Sequence, residues 1–234
     1  MNHEQFLRDF EEFKRQSAID GRFNPLVEEQ NAILNDDADQ TIHVSFDYWV
    51  HTAWAARKVA ELKPYCHADF ASYVYFAGIV SAFVPRFWFF DVRPVTLPLA
   101  GMNTAHADLT NLKDNASNTY ESVSCLHVME HVGLGRYGDK LDASGDRKAA
   151  SELSRILAPG GRLLMVLPMN EKPRVHFNAH RFYSMAQVDE MFSGLRRIET
   201  DILHGGAVSH NTWPLNDDYT ACMVFEKPAK AVSA

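Results

Sequence analysis

The sequence has no apolar run near the roughly 18 residues that a membrane-spanning helix requires, so no membrane span is expected. Cysteine is scarce: Cys66, Cys125 and Cys222 are odd in number, far apart and each set in an apolar run. That pattern reads as buried free thiols rather than a disulfide framework. Positive charge is not in excess either. A net charge of −7 argues against a general nucleic-acid or anionic-membrane binder, since both need a basic surface. There is no internal repeat and no low-complexity linker. The start, MNHEQFLRDFEEFKRQ, is charged and helical in pattern rather than shaped like a signal peptide, and the expected setting is cytoplasmic.

What is present is an ordinary globular composition over 234 residues, enough for one large domain with an added segment. Phe6, Phe10 and Phe13 form a helical stripe near the start. FDYWVHTAWAARKVAELKP predicts a helix from Phe46 to Leu62 that stops before Pro64. Its Tyr48, Trp49 and Trp54 have the spacing of core aromatics, with a ligand-facing role as the alternative. From Tyr65 the pattern alternates. Strands are expected at 65–70, 87–92, near 104–107, at 122–128 and at 161–168, with helices at 75–83, about 144–157 and 185–195. Pro159-Gly160-Gly161 reads as a helix stop and turn. RIETDILH and YTACMVFEK close the chain as two antiparallel strands joined by the loop 205–218.

Near-continuous apolar strands separated by helices imply a mostly parallel sheet covered on both faces. The expected fold is a three-layer α/β domain over residues 65–228, with residues 1–64 as an N-terminal helical extension or cap and 229–234 as a disordered tail. In such sheets ligands bind beyond the carboxyl ends of the strands. Asp69, Asp91 and Asp108 fall at or just after three successive strand ends, and His127 near the end of the fourth. A carboxylate ending the second strand can accept two hydrogen bonds from a ribose diol. The alternative for each Asp is a local cap or turn.

These features resemble the Rossmann-like (class I) S-adenosylmethionine-dependent methyltransferases. LSRILAPGGRLLMVLP is similar to the helix–Pro-Gly-Gly–strand segment of that superfamily, and SVSCLHVMEHV to its fourth strand and the helix start after it. HVMEHVGLGRYGD with VHFNAHRFY resembles, more narrowly, a bacterial methyltransferase-like domain-of-unknown-function family that often occurs near polysaccharide-biosynthesis genes. The resemblance implies S-adenosylmethionine as cofactor. It sets Asp69, Ala71 and Ser72 along the methionine part, Asp91 on the ribose, Asp108 and Leu109 at the adenine, and His127 beside the methyl-donor region. One departure stands out. The superfamily's first loop reads like D-x-G-x-G, whereas this chain has Asp69-Phe70-Ala71-Ser72-Tyr73. Alanine substitutes for glycine where φ stays negative, and Tyr73 adds bulk.

HVMEH, residues 127–131, also spells the H-x-x-E-H zinc signature. That chemistry needs His127 and His131 on one helical face, with Glu130 as base. A strand ending near His127, followed by the glycine-rich GLGRYGD, fits a strand-to-loop junction better, so no metal site is assigned. Methyl transfer to a hydroxyl is helped by a base. His127, Glu130 and His131 are the catalytic candidates. Arg136, Tyr137, His176, Asn178, His180 and Arg181 are the candidates for holding substrate: Asn178, His180 and Arg181 as donors suited to a sugar or phosphate, and Arg136 and Tyr137 as a lid, with an ordered Gly-rich turn as the alternative. Arg181 has as its alternative a salt bridge to Asp189 or Glu190. The expected activity is O-methylation of a sugar or glycan precursor, a small-molecule or glycan acceptor with no nucleic-acid partner. A catalytically degenerate binding or scaffold module is the alternative, with a zinc hydrolase more remote. The N-terminal helices are left to act as a lid or a homodimer contact.

Overall fold

The computed structural model describes residues 4, 7, 8, 10–12, 15, 45–93, 99–177, 179–204, 207–210 and 217–229. The chain divides into two units, Met1–Val44 and Ser45–Ala234. In the first, the described residues are helical, with exposed pairs Glu4–Arg8 and Glu12–Arg15. Phe6 and Phe13 of the expected stripe lie outside the described residues. Among the described residues, no helix is long and apolar enough to cross a membrane.

The second unit begins with helix α1 (Phe46–Leu62). His51, Trp54, Ala55 and Val59 are its buried face, at the spacing of one helical stripe. It ends at Lys63 in the left-handed conformation, whose N–H reaches the Val59 carbonyl, and Pro64 prevents continuation. Trp54 and Val59 join a core cluster that includes Leu164 and Val166 of the sheet, a burial that contributes roughly 1.5–3 kcal/mol for each large side chain. The sequence boundary at residue 64 thus falls behind a helix that packs on the sheet.

The strands are β1 (Cys66–Phe70), β2 (Arg86–Asp91), β3 (Met102–His106), β4 (Tyr120–Leu126), β5 (Leu157–Met169), β6 (Arg174–His176), β7 (His180–Phe182), β8 (Arg196–His204), β9 (Ala207–His210) and β10 (Tyr219–Glu226). The helices after α1 are α2 (Val74–Ser81), α3 (Gly145–Ile156) and α4 (Met185–Met191). Eight strands form one sheet in the order β3-β2-β1-β4-β5-β10-β8-β9, and β6 and β7 form a separate hairpin. β1 to β5 are parallel, while β10 runs antiparallel between β5 and β8. Two apolar clusters fill the molecule, and the strands alternate their side chains between them: Phe70 and Phe90 in one, Phe87 and Phe89 in the other. This is the expected mostly parallel α/β sheet with antiparallel C-terminal strands.

Three details differ from the sequence reading. Residues Leu157–Gly161 are not a turn but the start of β5, taken up by a register shift between Tyr120 and Ser122 on β4. The 205–218 connection contains an additional edge strand, β9, paired to β8. Cys66 is only partly buried, unlike Cys125 and Cys222.

Candidate functional site

The strand order reverses between β1 and β4, the switch point at which ligands of such sheets bind beyond the carboxyl ends of the strands. Backbone pairing runs one residue past each strand: Ala71 N–H to Phe90 O, Ala107 N–H to Asp91 O, and His127 N–H to Val166 O. Beyond these bonds the chain turns away and leaves a cavity of about 340 Å³, within the range of small-molecule sites. Ala71, Ser72, Asp91, Asp108 and Leu109 line it. His127, His131 and Tyr137 complete the wall on the β4 side.

The first loop is held by a buried carboxylate. Asp69 is fully buried and does not line the cavity. Its Oδ1 accepts from the Ser72 hydroxyl at 2.6 Å and from Ser124, and its Oδ2 accepts from the Ser72 N–H at 3.1 Å. The Ser72 oxygen in turn accepts from Leu126 N–H at 3.1 Å, tying the loop to β4. Burial pushes the Asp69 carboxyl up to about 7 against the opposing pull of these donors. Behind it His67, also fully buried and pushed down to about 3 by desolvation, bridges Ser122 and Ser124. Asp69 therefore shapes the first loop and does not face the cavity, where the sequence reading sets it along a ligand.

Ala71 takes φ +53°, the left-handed conformation that glycine normally supplies in such a loop. The condition of a negative φ, under which alanine would replace glycine without strain, is not met, and the hydrogen bonds on either side fix the turn. Tyr73 lines the cavity edge and packs against Tyr48 and Tyr75, with ring centroids 5.8 and 5.0 Å away.

At the other strand ends, Asp91 receives Arg93: Oδ1 accepts from the backbone N–H at 2.8 Å and Nε at 2.9 Å, and Oδ2 accepts from Nη2 at 2.7 Å. Asp108 Oδ1 accepts from the N–H and hydroxyl of Thr110, a local turn of the kind the sequence allowed.

HVMEH is a junction. β4 ends at Leu126, His127 adopts φ +55°, and Met129–His131 form a single 3₁₀ turn. His127 lies outside that turn, so the two histidines do not share a helical face. Among the described residues no group of three His, Cys, Asp or Glu side chains is arranged to hold a metal ion. What the junction builds is a dyad. His127 Nδ1 donates to Glu130 Oε1 at 2.9 Å, which leaves Nε2 as the basic nitrogen. That Nε2 is buried with no partner among the described residues, as is Glu130 Oε2. Glu130 is itself buried behind the wall and does not line the cavity. From α1, the ring of Tyr48 stacks on His127 at 5.4 Å, and that of His51 lies 5.0 Å away. Desolvation, reinforced by His127, pushes His51 down to about 3, so it stays neutral.

The two downstream words meet here. His131 Nδ1 and Arg136 Nη1 both donate to the Ala179 carbonyl, at 2.5 and 3.1 Å. Arg181 is buried, donating to the Val132 and Glu130 carbonyls at 2.7 and 3.3 Å and lying 3.6 Å from Asp146. It is a clamp between β7 and the 129–132 turn, neither a substrate contact nor a partner of Asp189, which pairs with Arg197. Arg136, His176 and His180 stand outside the cavity lining, with His176 and His180 side by side at 5.6 Å. Burial and the neighbouring His131 push His180 downward. Asn178 lies outside the described residues. Sequence reasoning missed His51, Arg93 and Asp139. The last had a signal, since it ends the GLGRYGD word and its carboxylate accepts from the N–H groups of Gly133, Gly135 and Tyr137.

With this geometry in place, the fold can be compared with known proteins. It is the α/β fold of methyltransferases. A putative methyltransferase from Bacillus halodurans C-125 aligns with TM-score 0.54 at 13% identity, covering 75% of this chain and 100% of its own. The N-methyltransferase NodS from Bradyrhizobium japonicum WM9, in complex with S-adenosyl-L-homocysteine, aligns with TM-score 0.56 at 14% identity over 82% of this chain and 93% of its own. A putative sarcosine dimethylglycine methyltransferase from Galdieria sulphuraria gives TM-score 0.59 at 14% identity, over 77% and 86%. By sequence, residues 102–205 match the family described as Caenorhabditis protein of unknown function, DUF268. No curated protein matches by sequence.

Proposed function

We propose that the protein is an S-adenosylmethionine-dependent methyltransferase acting on a hydroxyl, with a sugar or glycan precursor as the acceptor class that the sequence resemblance implies. The observation that carries the reading is Ala71 at φ +53°: the first loop keeps a glycine conformation without glycine, at the mouth of a cavity that Asp91, Asp108 and His127 share. The turn costs about 1–2 kcal/mol locally and is held by the Asp69–Ser72 bonds, which keep the loop backbone at the cavity. These residues fit the cofactor: Asp91 would hold the ribose hydroxyls, Leu109 and Asp108 would flank the adenine, and Ala71 and Ser72 would lie along the methionine part. Bound there, the cofactor supplies an electrophilic methyl group on sulfonium.

The chain's own contribution is a base. Glu130 holds His127 Nδ1–H, which orients the ring and leaves the buried Nε2 without a partner among the described residues. An acceptor hydroxyl that reached this buried nitrogen from the cavity would give up its proton to it. Tyr48, stacked on His127, fixes the ring plane and excludes water from one side.

The test is transfer of isotopically labelled methyl from S-adenosylmethionine to a panel of hydroxyl acceptors that includes sugars and glycan precursors. The expected result is label on at least one acceptor, reduced about a hundredfold or more in His127→Ala while S-adenosylhomocysteine affinity is kept. Transfer that is unchanged in the variant would contradict the assigned base. The absence of transfer to any hydroxyl acceptor, with cofactor binding intact, would favour a binding module, the reading that the occupied Asp91 carboxylate supports.

A further inference from the structure

Asp91, the carboxylate proposed for the ribose, is already held by a side chain of the same loop. Arg93 presents a two-pronged guanidinium, Nε to Oδ1 and Nη2 to Oδ2, while its backbone N–H separately braces Oδ1. The carboxylate is almost wholly buried, at 2% exposure, whereas the Arg93 side chain is 54% exposed. The guanidinium also lies 5.0 Å from the ring centroid of Tyr137, on the glycine-rich loop across the cavity mouth. Arg93 thus touches both walls, and both residues line the cavity.

We infer that Arg93 is a specificity-determining latch that a ribose diol must displace from Asp91, and whose existing contact with Tyr137 couples cofactor occupancy to the 133–139 loop. The inference rests on the cofactor reading above. A diol and a guanidinium fork both approach a carboxylate as paired donors facing its two oxygens, so they compete for one edge. The backbone N–H of Arg93 need not move, and keeps the carboxylate in place for the incoming ligand. The diol offsets the loss of the fork by giving paired donors to the same two oxygens, while the half-exposed guanidinium regains contact with water. The guanidinium is not set adrift on release, since it already lies over the Tyr137 ring, where a cation is favourable. Tyr137 is tied through its own N–H to Asp139, which also holds Gly133 and Gly135, so a movement of Arg93 against the ring reaches the whole loop. A ligand lacking the ribose diol gains nothing from Asp91 and leaves the latch closed.

The experiment is calorimetric titration of S-adenosylhomocysteine into the wild-type chain, Arg93→Ala and Arg93→Lys, at low and high salt, with amide exchange of residues 133–139 followed alongside. Arg93→Ala is expected to bind about two- to five-fold more tightly, with Arg93→Lys between, because lysine keeps the charge without the fork. High salt should bring wild type closer to Arg93→Ala by screening the pair. Ligand-dependent protection of the loop should appear in wild type and vanish in Arg93→Ala. Equal or weaker binding by Arg93→Ala would overturn the latch while leaving the cofactor reading intact. Binding by none of the three would overturn the cofactor reading, and the latch with it.

Discussion

Two residues in the left-handed conformation, Ala71 and His127, define this site more than any charged group does. Each follows the last backbone bond of a strand and redirects the chain at the cavity wall. Neither is a glycine, and in both cases side-chain bonds enforce the turn: Asp69 with Ser72 at the first, Glu130 at the second. The strain at Ala71 is measurable. Ala71→Gly should stabilise the protein by about 0.5–1 kcal/mol in urea unfolding, since relief of the left-handed penalty exceeds glycine's extra unfolded-state entropy. A loss of stability would show that the methyl group packs usefully. Asp91, Asp108 and His127 were legible at this scale because strand ends are visible in the sequence. The inward turn of Asp69 was not, because it depends on Ser124, a residue of another strand.

At the scale of elements, the central strands were readable because burial on both faces makes them continuous apolar runs. β6, β7 and β9 were not. They are three or four residues long and partly exposed, with no periodicity to read. The hairpin β6–β7 matters because Ala179 and Arg181 fasten it to the HVMEH turn, so the two distinctive words of the sequence are one structural unit. The loop between them is wound around Asp139, with Gly133 at φ +80°, where a Cβ would lie 2.1 Å from the Asp142 carbonyl oxygen. Gly133→Ala should therefore destabilise the protein by several kcal/mol, about 3 as an order of magnitude, from strain and collision together. Thermal unfolding close to that of wild type would contradict the loop geometry. The aromatics of α1 divide three ways: Trp54 is core, Tyr48 lines the cavity and Trp49 is exposed. Helical spacing alone could not separate them.

Over the whole molecule, the sheet order and its reversal between β1 and β4 place every proposed function at one edge. The sequence pointed to that edge through the rule that ligands bind beyond the strand ends. It could not show that α1 supplies a wall, that the first-loop conformation survives without glycine, or that Arg93 already occupies Asp91. All three arise from contacts between distant or independently rotating groups. The likeness to methyltransferases is one of fold, at 14% identity or less in the three comparisons above, so the cofactor has to be tested on this chain. The most direct measurement is calorimetric titration of the purified protein with S-adenosylhomocysteine, beside an Asp91→Ala variant. The account predicts one site per chain with a dissociation constant on the order of micromolar, weakened at least tenfold in the variant by loss of the charged acceptor for the diol. No heat and no thermal shift at millimolar ligand would contradict it.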